Sequence, residues 1–126
     1  LSYIDEKGEK QVPVMIHRVI LGSLERFIAT LIEHYKGAFP FWLAPVQIKV
    51  LSLKSGCNDY AEEVRVMLAE KFRTESDVRA ETLSKKIRES EMEKIPYLFV
   101  VGEKEKEAGT VNIRARGKKQ IGTFSL

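Results

Sequence analysis

The chain has 126 residues, 44% of them hydrophobic and 31% charged. Those proportions exclude collagen-like and disordered classes and fit one domain on the usual scale of about 100–200 residues. Its formal charge of +3 permits an RNA partner without demanding one, and the single Cys57 excludes an internal disulfide.

The first ten residues are polar around Gly8 and predict a turn. Val12–Ile16 is an apolar run that predicts a short strand, and Gly22-Ser23 supplies a turn and a helix N-cap. Leu24, Phe27, Ile28, Leu31, Ile32 and Tyr35 then draw one helical stripe, which Gly37 stops. Ala38–Pro45 breaks both periodicities and predicts a connector packed by its aromatics. Val46, Ile48 and Val50 alternate as a strand does, and Asp59-x-x-Glu62 predicts a capping box that opens a helix carrying Val64, Leu68 and Phe72. Ser76–Arg79 predicts a short strand, and Thr82 caps a helix carrying Leu83 and Ile87. Tyr97–Val101 predicts a strand covered on both faces, ended by Gly102. Val111, Ile113 and Ala115 alternate with Asn112, Arg114 and Arg116, as in a strand with one apolar face. The order predicts an α/β domain with a mixed, largely parallel sheet flanked by helices. Gln120–Leu126 begins another extended segment. Such sheets normally carry a closing helix there, so the expectation is a piece of a longer chain that lacks it.

No Walker loop, no Gly-x-Gly-x-x-Gly, no Cys-x-x-Cys and no His-x-x-x-His occurs, so no complete catalytic set is legible. No apolar run approaches a membrane span, and the expectation is a soluble cytoplasmic protein with no membrane partner. Taken alone, His17 is a structural histidine and Cys57 a bland loop cysteine. Arg26 lies in the first turn of the amphipathic helix, where a cation opposes the helix dipole. A guanidinium there can fork to a bound anion or stack on a flat base, and the plain alternative is an exposed surface arginine.

Pro13-Val14-Met15-Ile16-His17-Arg18-x-x-Leu21-Gly22-Ser23-Leu24-Glu25-Arg26-Phe27 resembles motif 3 of class II aminoacyl-tRNA synthetases, the threonyl family in particular. The resemblance continues through Pro40-x-Trp42-Leu43-Ala44-Pro45-x-Gln47, Lys86-Ile87-Arg88 and Ile95-Pro96-Tyr97. It ends in Val101-Gly102-x-Lys104-Glu105, Val111-x-Ile113-Arg114-x-Arg116 and Gly117-Lys118-Lys119-x-x-Gly122. It implies a C-terminal catalytic piece at 1–38, a connector at 39–45 and an anticodon-binding domain at 46–126. In that family the motif 3 arginine, here Arg26, binds ATP and the adenylate. The histidine, here His17, is one of three zinc ligands, the other two lying outside this chain. A zinc site that takes a hydroxyl as ligand suits threonine over valine.

The resemblance further implies that Glu105 and Arg114 read anticodon bases of tRNA(Thr), a carboxylate accepting from the N1–H and N2–H edge of guanine. Asn112 and Arg116 share the strand face with Arg114, and Lys85, Lys86, Arg88 and Lys94 add positive charge nearby for phosphates. Ala80 departs from a usual RNA-contacting Asn, and Lys94 replaces a frequent Arg and loses its fork. The whole enzyme would be a homodimer that uses threonine, Mg-ATP and zinc. The isolated anticodon-binding domain would need no cofactor. Two alternatives stay open: another class IIa enzyme (prolyl, glycyl or histidyl), and a non-catalytic RNA-binding module. His17 favours threonine over the first, and an intact Arg26 speaks against the second.

Overall fold

Ile48, Val50 and Leu51 are wholly or almost wholly buried, and the strand they form is the spine of the main sheet. The computed structural model describes residues 1–117 and 119–126, so Lys118 of the Gly117–Gly122 stretch lies outside the described residues. The chain divides into two compact units, Leu1–Thr30 and Leu31–Leu126.

In the first unit a two-residue hairpin pairs β1 (Tyr3–Ile4) with β2 (Lys10–Gln11). Its turn is closed by the Asp5 carboxylate, which accepts from the Lys7 and Glu9 N–H groups at 2.9 Å each. The strand expected at Val12–Ile16 does not form. Pro13 has no N–H to give a ladder, no neighbouring strand pairs with the segment, and Val14 is 90% exposed. Helix α1 (Leu24–Tyr35) follows the predicted stripe, with the Ser23 carbonyl accepting from Phe27 N–H at 3.0 Å. It ends in a Schellman motif, Lys36 N–H to Glu33 O and Gly37 N–H to Ile32 O, with both residues left-handed at φ 50° and 74°.

The remaining elements are β3 (Ile48–Ser52), α2 (Asn58–Ala69), β4 (Thr74–Asp77), α3 (Leu83–Met92), β5 (Tyr97–Val101), α4 (Glu103–Ala108), β6 (Thr110–Ala115) and β7 (Lys119–Ser125). They give a five-stranded sheet in the order β4-β3-β5-β6-β7. β3 runs parallel to β4 and β5, whereas β5–β6 and β6–β7 are antiparallel. The expected mixed sheet flanked by helices is present.

Side chains alternate across the sheet and divide the core in two. Val50, Val101 and Val111 pack against Tyr60, Ala61 and Val64 of α2. Leu51, Ile95 and Leu98 pack on the other side against Leu83 and Ile87 of α3. The connector is tied to this unit by carbonyl acceptors: Arg73 Nη2 donates to Trp42 O and Ala44 O at 2.8 Å, and Gln47 Nε2 donates to Phe41 O at 3.0 Å. Phe41 packs edge-on against Phe72 and Tyr97, as expected of the connector's aromatics, whereas Trp42 stays exposed.

Two further expectations need correction, and one helix has no counterpart among them. Asp59 and Glu62 do not cap α2, because a 3-10 turn at Ser55–Cys57 leads into the helix at Asn58 and Glu62 instead binds Arg65 and Ser76. The strand expected at Ser76–Arg79 is displaced to Thr74–Asp77, since its register follows β3, where Ile48 faces Thr74. Helix α4 was not foreseen at all. Its Glu-Lys-Glu-Lys-Glu sequence has no apolar stripe, and it is held from its start, where Glu105 Oε2 accepts from Gly102 N–H at 3.0 Å.

Candidate nucleic-acid interface

β3 connects to β4 through α2 on one face, and β4 returns past β3 to β5 through α3 on the other. The connections therefore diverge between β3 and β5, and open α/β sheets bind ligands outside the carboxyl ends of strands at such a point. Here the loops there are Leu53–Cys57 and Gly102–Glu105. They are strapped together: Lys54 pairs with Glu103 at 3.2 Å, and Lys106 Nζ donates to Gly56 O at 2.9 Å. A Cβ at Gly102 would lie 2.9 Å from Glu105 Oε2 and 3.2 Å from Leu53 Cδ2, so a larger residue there would push the Glu105 carboxylate aside.

Glu105 thus sits half-buried at the carboxyl end of β5, held by its bond to Gly102. That bond uses one lone pair of a group with about four, which leaves acceptor capacity for a ligand. The Tyr60 phenol, which donates to Thr110 O at 2.9 Å, is pushed up by burial and by the negative charges of Glu63 and Glu105.

Arg114 lies on β6 opposite Leu98, on the sheet face that α3 occupies farther along. It is half-buried and makes no side-chain hydrogen bond among the described residues. Asn112 shares that face and donates to Thr123 Oγ1 at 3.3 Å. The expected alternation holds: Val111 and Ile113 turn to the α2 side, Asn112 and Arg114 away from it. No hydrogen bond joins Glu105 to Arg114. Leu98, across from Arg114, stands three residues before the end of β5, about 10 Å along a strand.

Two of the expected RNA contacts are placed elsewhere. Lys86 is 1% exposed, with Nζ donating to Ser52 O at 2.9 Å, Ser52 Oγ at 3.2 Å and Asp77 O at 3.1 Å. It points into the protein because position 86 falls on the inner stripe of α3, between Leu83 and Ser90. It is not available to a phosphate. Arg116 lies one residue past β6, and its Nη1 donates to Phe39 O and Lys94 O, both at 3.0 Å. That group holds the connector and the α3–β5 turn.

The other cations stay outside. Lys85 is exposed and paired with Glu81 at 2.6 Å, and Arg88 is exposed with no partner among the described residues. Lys94 is exposed at a left-handed φ of 62°, in the C′ position of a second Schellman motif. Sequence reasoning missed Arg79, whose guanidinium forks onto the Asp77 carboxylate at 2.9 and 2.6 Å. The Asp-x-Arg spacing across a strand end was its only signal.

In the first unit His17 and Arg26 are both exposed. No group of three His, Cys, Asp or Glu side chains comes together among the described residues, so His17 has no companion ligands there. No described helix is long and apolar enough to cross a membrane.

Residues 43–126 match the anticodon binding domain family. The chain belongs to that family. Over its whole length it is 54% identical to the threonine–tRNA ligase of Nitratidesulfovibrio vulgaris and 52% identical to that of Acetivibrio thermocellus. It spans about a fifth of the length of those curated relatives, 20% in each case. Its fold is similar to the RNA binding domain of threonyl-tRNA synthetase from Cryptosporidium parvum, at TM-score 0.79 and 40% identity. That similarity covers 98% of this chain and 32% of the other. A putative threonyl-tRNA synthetase from Aeropyrum pernix is similar at TM-score 0.61 and 26% identity, over 82% of this chain and 25% of that one.

Proposed function

We propose that the parent protein is a cytoplasmic threonine–tRNA ligase, and that residues 46–126 hold the anticodon stem-loop of tRNA(Thr). Residues 1–38 then belong to its catalytic domain and 39–45 to the connector. What supports this most is the 54% identity to a threonine–tRNA ligase over the whole chain. Relatives that shared only the RNA-binding part would match the second unit alone.

Within the site, Glu105 accepts from a guanine edge, and Arg114 donates to the neighbouring base. Asn112 lies beside Arg114 on the same face, while Arg88, Lys85 and Lys94 meet phosphates. In the parent enzyme Arg26 binds the phosphates of Mg-ATP and the adenylate. His17 would supply one ligand to a zinc whose other ligands lie outside this chain, and that metal would contribute Lewis-acid binding of the amino and hydroxyl groups of threonine. The enzyme works as a homodimer.

Glu105→Gln in the 126-residue chain tests the anticodon part. Glutamine keeps an acceptor for Gly102 N–H and replaces the outward oxygen by a donor. Plain electrostatics predicts tighter RNA binding after loss of a negative charge. Base reading predicts weaker binding to a threonine anticodon stem-loop and a preference for its middle guanine reduced by about 1–3 kcal/mol. Equal or tighter binding with unchanged preference would leave Glu105 as a surface charge.

A further inference from the structure

We infer that Arg73 and Arg116 are positioning residues of the parent ligase: they clamp the backbone of the connector onto the anticodon-binding domain, so that one tRNA is held productively at both ends. This rests on the proposed ligase reading and extends it to a segment that carries no substrate contact.

The connector cannot satisfy its own backbone. It makes one turn, in which Leu43 and Ala44 N–H donate to Pro40 O at 3.0 Å, and Pro45 has no N–H to extend it. The carbonyls of Phe39, Trp42 and Ala44 accept no backbone N–H among the described residues. A guanidinium meets each of them. Arg73 Nη2 donates to Trp42 O and Ala44 O at 2.8 Å, and its Nε donates to Ala44 O at 3.0 Å. Arg116 Nη1 donates to Phe39 O at 3.0 Å and, on its other side, to Lys94 O at 3.0 Å. Both arginines are themselves anchored through the backbone: Arg73 N–H donates to Gln47 Oε1 at 2.9 Å, and Arg116 N–H to Pro96 O at 2.8 Å. One planar fork reaching two carbonyls is a geometry that a lysine cannot reproduce.

The clamp lies where β3, β4 and β5 begin, at the opposite end of the sheet from Glu105. Neither guanidinium is paired with a carboxylate among the described residues, so both charges are spent on the connector's carbonyls. In the ligase reading, residues 1–38 belong to the catalytic domain, and the connector is the covalent link to the domain that holds the anticodon. A ligand that engages two linked sites binds with an effective concentration set by the stiffness of the link. A clamped connector keeps that concentration high for the second end of the tRNA. A released connector lowers it and leaves both sites chemically intact.

The test places Arg73→Met and Arg116→Met in the full-length parent enzyme and in the 126-residue chain. Methionine keeps an apolar stem and removes every donor. In the full-length enzyme kcat/KM for tRNA should fall at least about tenfold, chiefly through KM, with threonine-dependent ATP–pyrophosphate exchange unchanged. In the 126-residue chain the affinity for a threonine anticodon stem-loop should be unchanged. Weaker stem-loop binding would make the altered arginine an RNA contact, and unchanged charging in both variants would make the clamp packing alone. Either result overturns the inference, as does an equal loss of exchange and charging. The clamp is also read without RNA. Trp42, the only tryptophan, is 70% exposed, so its fluorescence anisotropy reports the motion of the connector. Arg73→Met should add a fast component to its decay, and an unchanged decay shows that the guanidinium does not hold the connector. Should Arg73→Met not fold, Arg73→Lys, which loses the fork, must show the same split between charging and exchange. A wild-type enzyme that charges no tRNA with threonine means that the ligase reading has failed, while the Trp42 decay still decides whether the clamp exists.

Discussion

The two ends of the sheet treat their polar groups in opposite ways. Where β3 and β4 end, Lys86 is wholly enclosed, and Arg79 is fixed by Asp77 and Glu89. On β6 and β7 the outward face carries Asn112, bound only to Thr123, and Arg114, bound to nothing described. The first end uses charge to join three secondary elements. The second leaves Arg114 half-buried on a strand face with no carbonyl or carboxylate holding it among the described residues. Proximity to a basic stretch in the sequence therefore says little about availability. What decides it is whether carbonyls and carboxylates of the fold reach the cation before a ligand does.

Stability measurements break that comparison most directly. Lys86→Ala leaves Ser52 O and Asp77 O inside without their donor and opens space beside them, so unfolding in urea should show a loss of about 3–5 kcal/mol. Arg114→Ala removes no intramolecular bond and should stay within about 0.5 kcal/mol of wild type. Similar losses in both would mean that Arg114 belongs to the fold as Lys86 does. A negligible loss in Lys86→Ala would mean that the ammonium is not enclosed in solution.

Most of the fold was legible in the sequence because its signals are local. The stripe from Leu24 to Tyr35, the Thr82 cap, the apolar run at Tyr97 and the alternation after Val111 each correspond to an element. What escaped depends on distant partners. Val12–Ile16 has strand composition but no strand to pair with, and α4 has no apolar stripe and is held by Gly102 and Gly56. At the site, the face carrying Asn112 and Arg114 followed from alternation on one strand. The enclosure of Lys86 did not, because Lys85, Lys86 and Arg88 look alike as a basic cluster. Only the helical phase relative to Leu83 and Ile87 turns one of them inward. Arg116 escaped for a related reason: its acceptors, Phe39 O and Lys94 O, come from segments far from it in sequence.

The turn after α3 offers a smaller effect on the same contrast. Lys94 N–H bonds to Glu91 O at 3.1 Å and Ile95 N–H to Ser90 O at 3.2 Å, which forces Lys94 to φ 62°. A side chain there costs about 1 kcal/mol relative to glycine. Lys94→Gly should therefore raise stability by about that amount, offset in part by the greater freedom of glycine in the unfolded chain. If Lys94 also meets phosphate, the same variant weakens binding to every RNA stem-loop alike. A more stable protein with weaker, equally selective RNA binding would show that the turn keeps a strained lysine for its charge. A rise in stability with unchanged RNA binding would leave Lys94 without a role in the interface.

The smallest effect separates the two exposed cations of α3. Lys85 is engaged by Glu81 at 2.6 Å, whereas Arg88 has no described partner. A phosphate must compete with the Glu81 carboxylate for Lys85, but it meets Arg88 without a rival. A free contact contributes about one unit to the slope of log affinity against log salt. Arg88→Ala should therefore remove the full unit, and Lys85→Ala a fraction of it, with anticodon preference unchanged in both. Glu81→Gln sharpens the point, because freeing Lys85 should steepen the slope in the otherwise wild-type chain and have no effect once Lys85 is alanine. Equal slopes for Lys85→Ala and Arg88→Ala would mean that the ion pair opens at no cost when RNA arrives. The partner of a surface cation would then say nothing about its availability, and only enclosure of the kind seen at Lys86 would.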